Sequence, residues 1–341
     1  MLYKLLRPLL FALPAELNCR AILGVLSAMH KLHLLQTNAS QLKSLTKPLT
    51  VMGIQFPNPI GMAAGLDVDG KYIDTLFALG FGFVEIGTVT PQAQVSYGDE
   101  YLRFLPGSSS ILHSNINFVN SGVERLYLQL SNLQLSGVLG INISSNNTTA
   151  NEKAGQDYQY CINRLYKFAS YFALNIDNIY CCAYSKHGPQ IAVNHKNMLQ
   201  ILDGINQTRL KQIDKYSRYV PLVVKISPLF NANIDELKFL LDALVEHGID
   251  GVIVVALDAV ALGHKADNKY LQSVGKSLKY TADNLLLTVA EYLQGKIPII
   301  SGGGIFSAGD VQQRLQHGAS LVQLYSALLY RGPDVVRMLL R

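Results

Sequence analysis

Eight apolar runs of strand length recur along the chain, each followed by helix-compatible sequence, and this recurrence restricts the fold more than any other feature. They fall at 59–64, 83–87, 138–143, 171–176, 221–226, 251–255, 297–301 and 321–325. Apolar runs without polar alternation suit strands buried on both faces, as in parallel sheets covered by helices. An internal echo agrees: Leu79-Gly80-Phe81-Gly82-Phe83-Val84, His247-Gly248-Ile249-Asp250-Gly251-Val252 and His317-Gly318-Ala319-Ser320-Leu321-Val322. In each, a glycine falls where a helix must stop and the chain must turn into the next strand. Eight such units predict the α/β class, a (β/α)8 barrel, with its chemistry on the loops that follow the strands.

The 341 residues accommodate one barrel with an appendage, and 49% hydrophobic against 16% charged residues describes a large core without a disorder signature. Cys19, Cys161, Cys181 and Cys182 lack metal-ligand spacing, so the chain reads as a protein of a reducing compartment with no metal site. The net charge of +5 is confined to residues 1–47, where Lys4, Arg7, Arg20, Lys31, Lys43 and Lys47 face only Glu16. The same segment is rich in leucine, so 1–47 is expected to be an amphipathic helical extension that associates with a membrane surface, and 48–341 the barrel. The competing reading is that these helices simply pack on the core. Arg7-Pro8 interrupts any secretory signal, and no charge-free stretch approaches a membrane span. Basic residues with aliphatic rather than aromatic neighbours argue against nucleic acid.

Two of the predicted strand ends stand out. Gly302, Gly303 and Gly304 let a ligand lie on backbone N–H groups, and a helix predicted over 307–315 would present its N-terminus there, so an anion, most simply a phosphate, is expected. The run from Ser320 to Ser326 ends at the next strand-to-helix loop, and two such consecutive loops near the C-terminus are the usual place for phosphate in such barrels. Other strand ends carry Ala63 to Asp67, Thr88, Asn142, Asn175 and Lys225, with Gly275 in the loop after the sixth run. One lysine and several amides around a phosphate-anchored ligand suit a flat, polar-edged ring that can carry negative charge, as a reduced flavin does. A flavin-free barrel using Lys225 as a Schiff-base lysine is a further alternative.

Asn58 to Asp67, Glu85 to Pro91, Gly140 to Ile143 and Gly318 to Ser326 resemble the membrane-associated, quinone-linked dihydroorotate dehydrogenases. The resemblance spans nearly the whole chain. It implies an FMN-binding barrel that oxidises dihydroorotate to orotate in pyrimidine biosynthesis, with quinone entering between the N-terminal helices. The expected location is the cytoplasmic side of the inner membrane, held peripherally. Position by position, the resemblance puts FMN contacts on Ala64, Gly65, Thr88, Asn142, Asn175, Lys225, Gly275, Gly304, Tyr325 and Ser326, and substrate contacts on Asn175 and Ser114.

The chain departs from that pattern once on the flavin side, where Val255 replaces a threonine, and more often on the substrate side. Val68 stands where the family has a lysine for the substrate carboxylate, Ser114 and Tyr180 where it has asparagines, and Ala256 in place of another asparagine. Asn178 occupies the position of the serine base, and an amide has no useful basicity near neutral pH. Cys181, or Cys182, is the candidate substitute base, since a thiolate can take a proton. On the quinone side Asn18 replaces a histidine, and Tyr101-Leu102-Arg103 stands in for an arginine-led motif. These replacements leave open a paralogue that keeps the barrel and FMN but has a changed substrate or no catalysis.

Overall fold

The computed structural model describes residues 3, 7–8, 11, 15–33, 47–95, 102–105, 110–114, 118–185, 188–191, 194–226, 233–256, 258–261 and 270–341. All eight apolar runs are strands: β1 (Ile60–Met62), β2 (Phe83–Val89), β3 (Val138–Ile143), β4 (Tyr171–Asn175), β5 (Leu222–Ile226), β6 (Gly251–Val255), β7 (Ile299–Gly302) and β8 (Leu321–Leu324). They pair in sequence order, every ladder parallel, and β8 pairs with β1 through Val322 and Ile60, so the sheet closes on itself. The predicted (β/α)8 barrel is therefore the fold.

The helices are α1 (Ala15–Lys31), α2 (Ile73–Ala78), α3 (Val123–Ser131), α4 (Ala154–Leu165), α5 (His195–Tyr216), α6 (Ile234–Glu246), α7 (Lys279–Leu293), α8 (Ala308–Gln316), α9 (Ser326–Arg331) and α10 (Val335–Leu339). Several begin where the sequence supplies a cap. Asn194 and Asn233 accept from the third backbone N–H of α5 and α6, and Ser307 does the same for α8.

Two apolar layers result. One lies between the strands and the surrounding helices. The other fills the barrel with Phe83, Tyr171, Val223, Ile253, Ile300 and Leu321 over Phe56 from the hairpin Leu49–Val51/Ile54–Phe56. Large rings fit there because small residues face them: a Cβ on Gly61 would sit 2.2 Å from the Phe83 ring, and one on Gly140 equally close to Tyr171.

Helix α1 buries Ile22, Leu23 and Leu26 in the outer layer, while Val25, and Leu32 in the turn just after it, stay exposed. Ahead of it, the Tyr3 hydroxyl donates to the Leu329 carbonyl, Arg7 donates to that of Tyr330, and Phe11 meets the Tyr330 ring edge-on. Packing on the core and exposure of apolar residues thus coexist in one element. No helix among the described residues is long and apolar enough to cross a membrane.

Besides the hairpin under the barrel, the strand pattern did not foretell two further antiparallel additions. A four-stranded sheet runs Asp258–Ala261, Tyr270–Gly275, Ser110–Ser114, Leu102–Leu105, and a hairpin pairs Cys181–Ser185 with Gly188–Ile191. The sheet touches α1 through Leu102–Leu105 and α9 through Tyr270–Gly275.

Candidate functional site

The loop after β1 is tied to its neighbours on both sides: Ala63 N–H donates to the Leu324 carbonyl and Gly65 N–H to that of Gly87, each at 2.8 Å. Gly65 has φ +104°, and a Cβ there would approach the Tyr325 ring at 3.3 Å, so these two expected FMN contacts are neighbours. Ala64 is buried beside them. Asp67 closes the loop by accepting from Lys71 and Tyr72 N–H at 2.8 and 2.7 Å. Burial pushes its carboxyl up to about 6, although those two backbone donors pull the other way. The following Val68 is half-buried.

Thr88 and Asn142 meet across β2 and β3, the threonine hydroxyl donating to Asn142 Oδ1 at 2.8 Å. The approach needs Gly87, because a Cβ there would lie 2.3 Å from the Asn142 carbonyl oxygen. Asn142 Nδ2 in turn donates to Glu85 Oε1 at 3.1 Å, and Tyr171 and Gln323 both donate to Glu85 Oε2, at 2.9 and 2.8 Å. The Glu85 side chain is held inside the barrel by these three donors, with no ion-pair partner among the described residues. Burial and the adjacent carboxylate raise the Tyr171 phenol far above its usual range, so it stays a donor. This arrangement fixes which way the Asn142 amide points.

Asn175 is buried at the end of β4, its Oδ1 accepting from Asp177 N–H and its carbonyl from Ser144 and Tyr158 hydroxyls. Lys225 lies level with it in the β4–β5 ladder, half-buried, and its ammonium has no hydrogen bond or ion pair among the described residues. Ser326 is buried at the start of α9 behind Tyr325, whose phenol is raised by burial.

At the glycine loop, Gly303 and Gly304 take φ of +91° and +73°. Their N–H groups donate to no described residue, whereas the Gly303 carbonyl accepts from Arg314. The expected helix, α8, begins as predicted but differs in one respect. Asp310 accepts from Phe306 and Ser307 N–H while Ser307 Oγ accepts from Asp310 N–H, a capping box. The helix end therefore already holds a carboxylate, and donors for an anion fall on the glycine peptides instead.

Gly275 and Ser114 belong to the four-stranded sheet, where Gly275 pairs with Ser110 and Ser114 with Leu271. The structure thus links two loops that the sequence kept apart. Asn178 lies in the single helical turn Asp177–Tyr180, and Cys181 opens the strand after it. The side chains of Asn178, Tyr180, Cys181, Cys182, Ser114, Arg103 and Asn18 lie outside the described residues, as does Tyr101 altogether. Val255 is half-buried, and buried Ala256 lies against the glycine loop, 3.3 Å from where a Gly303 Cβ would be.

Sequence reasoning assigned no role to Glu85, Tyr171, Gln323 or Arg314. A signal was present for two of them: Glu85 and Gln323 are polar residues inside otherwise apolar strand runs, which buried strands rarely carry without partners.

The arrangement can be compared with known proteins. Residues 47–341 match the family model described as "Dihydroorotate dehydrogenase". Proteins named dihydroorotate dehydrogenase (quinone) are 40% identical in Chromobacterium violaceum, 39% in Thiobacillus denitrificans and 37% in Nitrosospira multiformis. These alignments cover 98%, 99% and 98% of this chain and 96%, 98% and 94% of the relatives. A crystal structure of the Eimeria tenella protein in complex with ferulenol shares the fold, with a TM-score of 0.73 at 24% identity over 89% of this chain and 84% of that one. The closed barrel, the strand-end motifs and a match that takes in every strand lead to one assignment: the chain belongs to the dihydroorotate dehydrogenase family.

Proposed function

We propose that this protein is an FMN flavoenzyme that oxidises dihydroorotate to orotate in pyrimidine biosynthesis and passes the electrons to a quinone. The observation that carries the flavin reading is a set of unspent donors around one mouth of the barrel. The N–H groups of Gly303 and Gly304 and the Lys225 ammonium lack described partners, while Gly65, Thr88 and Asn142 are held in fixed positions nearby in the barrel. A phosphate suits the glycine N–H groups, and a ring that gains negative charge on reduction suits Lys225 and the oriented amides.

In this reading Gly303 and Gly304, with the Tyr325–Ser326 backbone, receive the phosphate, and Ala64, Gly65, Thr88, Asn142, Asn175, Lys225 and Gly275 line the ring. Bound FMN supplies the two-electron acceptor. Lys225 stabilises negative charge, Asn142 and Asn175 orient ring and substrate edges, and Ser114 with Asn175 contacts the substrate.

The N-terminal 1–47 is proposed as the membrane and quinone side and 48–341 as the catalytic unit. Exposed Val25 and Leu32 beside exposed Arg20 and Lys31 support peripheral contact with an anionic bilayer. The cytoplasmic face of the inner membrane is the proposed location.

A second reading rests on Val68 and Asn178. Val68 brings no cation to the substrate carboxylate, a charge-assisted contact of about 1.5–3 kcal/mol, and Asn178 brings no base. A barrel that keeps FMN but takes a less polar substrate, or none, accommodates both. Anaerobic addition of dihydroorotate to the purified, yellow protein separates the two. Bleaching of the flavin band supports the first reading, and a flavin that stays oxidised supports the second. A colourless protein that takes up no added FMN removes both.

A further inference from the structure

Beneath the glycine loop lies a buried charged cluster that neither apolar packing nor the flavin contacts explain. Arg314, on α8, is fully buried. Its Nη1 donates to Ser301 Oγ at 2.8 Å and its Nη2 to the Gly303 carbonyl at 2.8 Å and the Lys279 carbonyl at 3.3 Å. Nε lies 2.6 Å from Asp283 Oδ1, an ion-pair contact without hydrogen-bond alignment. Lys279 Nζ bridges Asp283 at 2.7 Å and Gln313 at 2.5 Å and lies 3.6 Å from Asp310. Two cations face two carboxylates, so the cluster is neutral and adds no net charge to attract an anion.

Its effect is geometric. A peptide unit is planar and trans, so its C=O and N–H point in opposite directions. The Gly303 carbonyl and the Gly304 N–H belong to one such unit. Holding the carbonyl on the guanidinium turns the N–H to the opposite side, away from Arg314, and that N–H is one of the two with no described partner. The loop is pinned from the other side as well: a Cβ on Gly304 would lie 2.5 Å from Lys279 Cα, so the glycine rests directly on the start of α7.

We propose that Arg314 is a positioning residue for the ligand's phosphate, fixing the direction of the Gly304 N–H through the carbonyl of the same peptide. The proposal rests on the flavin reading above. A planar fork reaches Ser301, Gly303 and Lys279 together, which a lysine ammonium cannot do in the same geometry.

The test compares two flavins that differ only in the phosphate. The full-length protein is stripped of flavin and titrated with FMN and with riboflavin, following quenching of flavin fluorescence, for the wild type, Arg314→Lys and Ser301→Ala. Arg314→Lys is expected to weaken FMN by about tenfold or more while riboflavin changes by less than about twofold, since one oriented donor to the phosphate is lost. Ser301→Ala, which removes one anchor of the guanidinium, is expected to shift FMN in the same direction by a smaller factor. Equal weakening of both flavins, or of neither, in these variants overturns the proposal while leaving the flavin reading in place. Should Arg314→Lys not fold, Ser301→Ala decides by the same ratio. A wild-type chain that binds neither flavin overturns both.

Discussion

Asp67 and Glu85 show how single carboxylates are used in opposite ways. Asp67 is pushed up from 3.8 to about 6, so between those values the folded chain holds a proton that the unfolded chain has released. Stability contributed by this group is thus full below about pH 4 and falls as pH rises to about 6, by about 3 kcal/mol in all. Asp67→Asn is expected to flatten that part of the profile, measured as the difference between wild-type and variant urea unfolding free energies from pH 4 to 7. Glu85 has three donors already aimed at it, and a neutral amide would turn its NH2 toward one of them. Glu85→Gln should lower stability by about 2 kcal/mol by the same measurement, with loss of the fixed Asn142 orientation. At this scale the sequence marked Asn142 and Thr88 through their place after strands. It did not mark Arg314, which in a helix of mostly polar residues reads as a solvated side chain and becomes a buried one only when α8 is laid over Ser301.

Among the elements, those that the sequence revealed are the ones whose signal is local. The eight strands announce themselves by short apolar runs, and their observed ends fall within two residues of the expected ones, with 138–143 and 251–255 matching at both ends. Ser307 and Asp310 announce the start of α8 by their three-residue spacing, and Ser307→Ala should cost about 1 kcal/mol in thermal or chemical unfolding. The four-stranded sheet was not legible because its pairing joins Ser110–Ser114 to Tyr270–Gly275 across nearly half of the chain, and none of these segments has a strong alternating pattern of its own. Helix α1 carried two readings in sequence, core packing and a membrane surface, and its residues divide between them. The proposed surface contact predicts that Val25→Glu with Leu32→Glu, both exposed, reduces co-sedimentation with anionic phosphatidylglycerol vesicles and leaves the unfolding midpoint unchanged.

The whole molecule is a ring of strands whose interior tolerates little added volume. Gly61 and Gly140 are spaces for Phe83 and Tyr171, so Gly61→Ala is expected to destabilise the barrel by about 1–3 kcal/mol or more, read as a lowered urea midpoint. The ring also has a consequence for synthesis. Its seam joins β1, the first strand of the barrel, to β8, the last, and Tyr3 and Arg7 likewise hold carbonyls at 329 and 330. A ribosome extends the chain at about 5–20 residues per second, so β1 waits on the order of tens of seconds with one edge unpaired while the other seven strands emerge. Until β8 is added, a sheet of the other seven strands leaves a sticky margin on β1. Seam and N-terminal clasp both depend on residues 321–330, the short stretch that turns a half-made sheet into a sealed vessel.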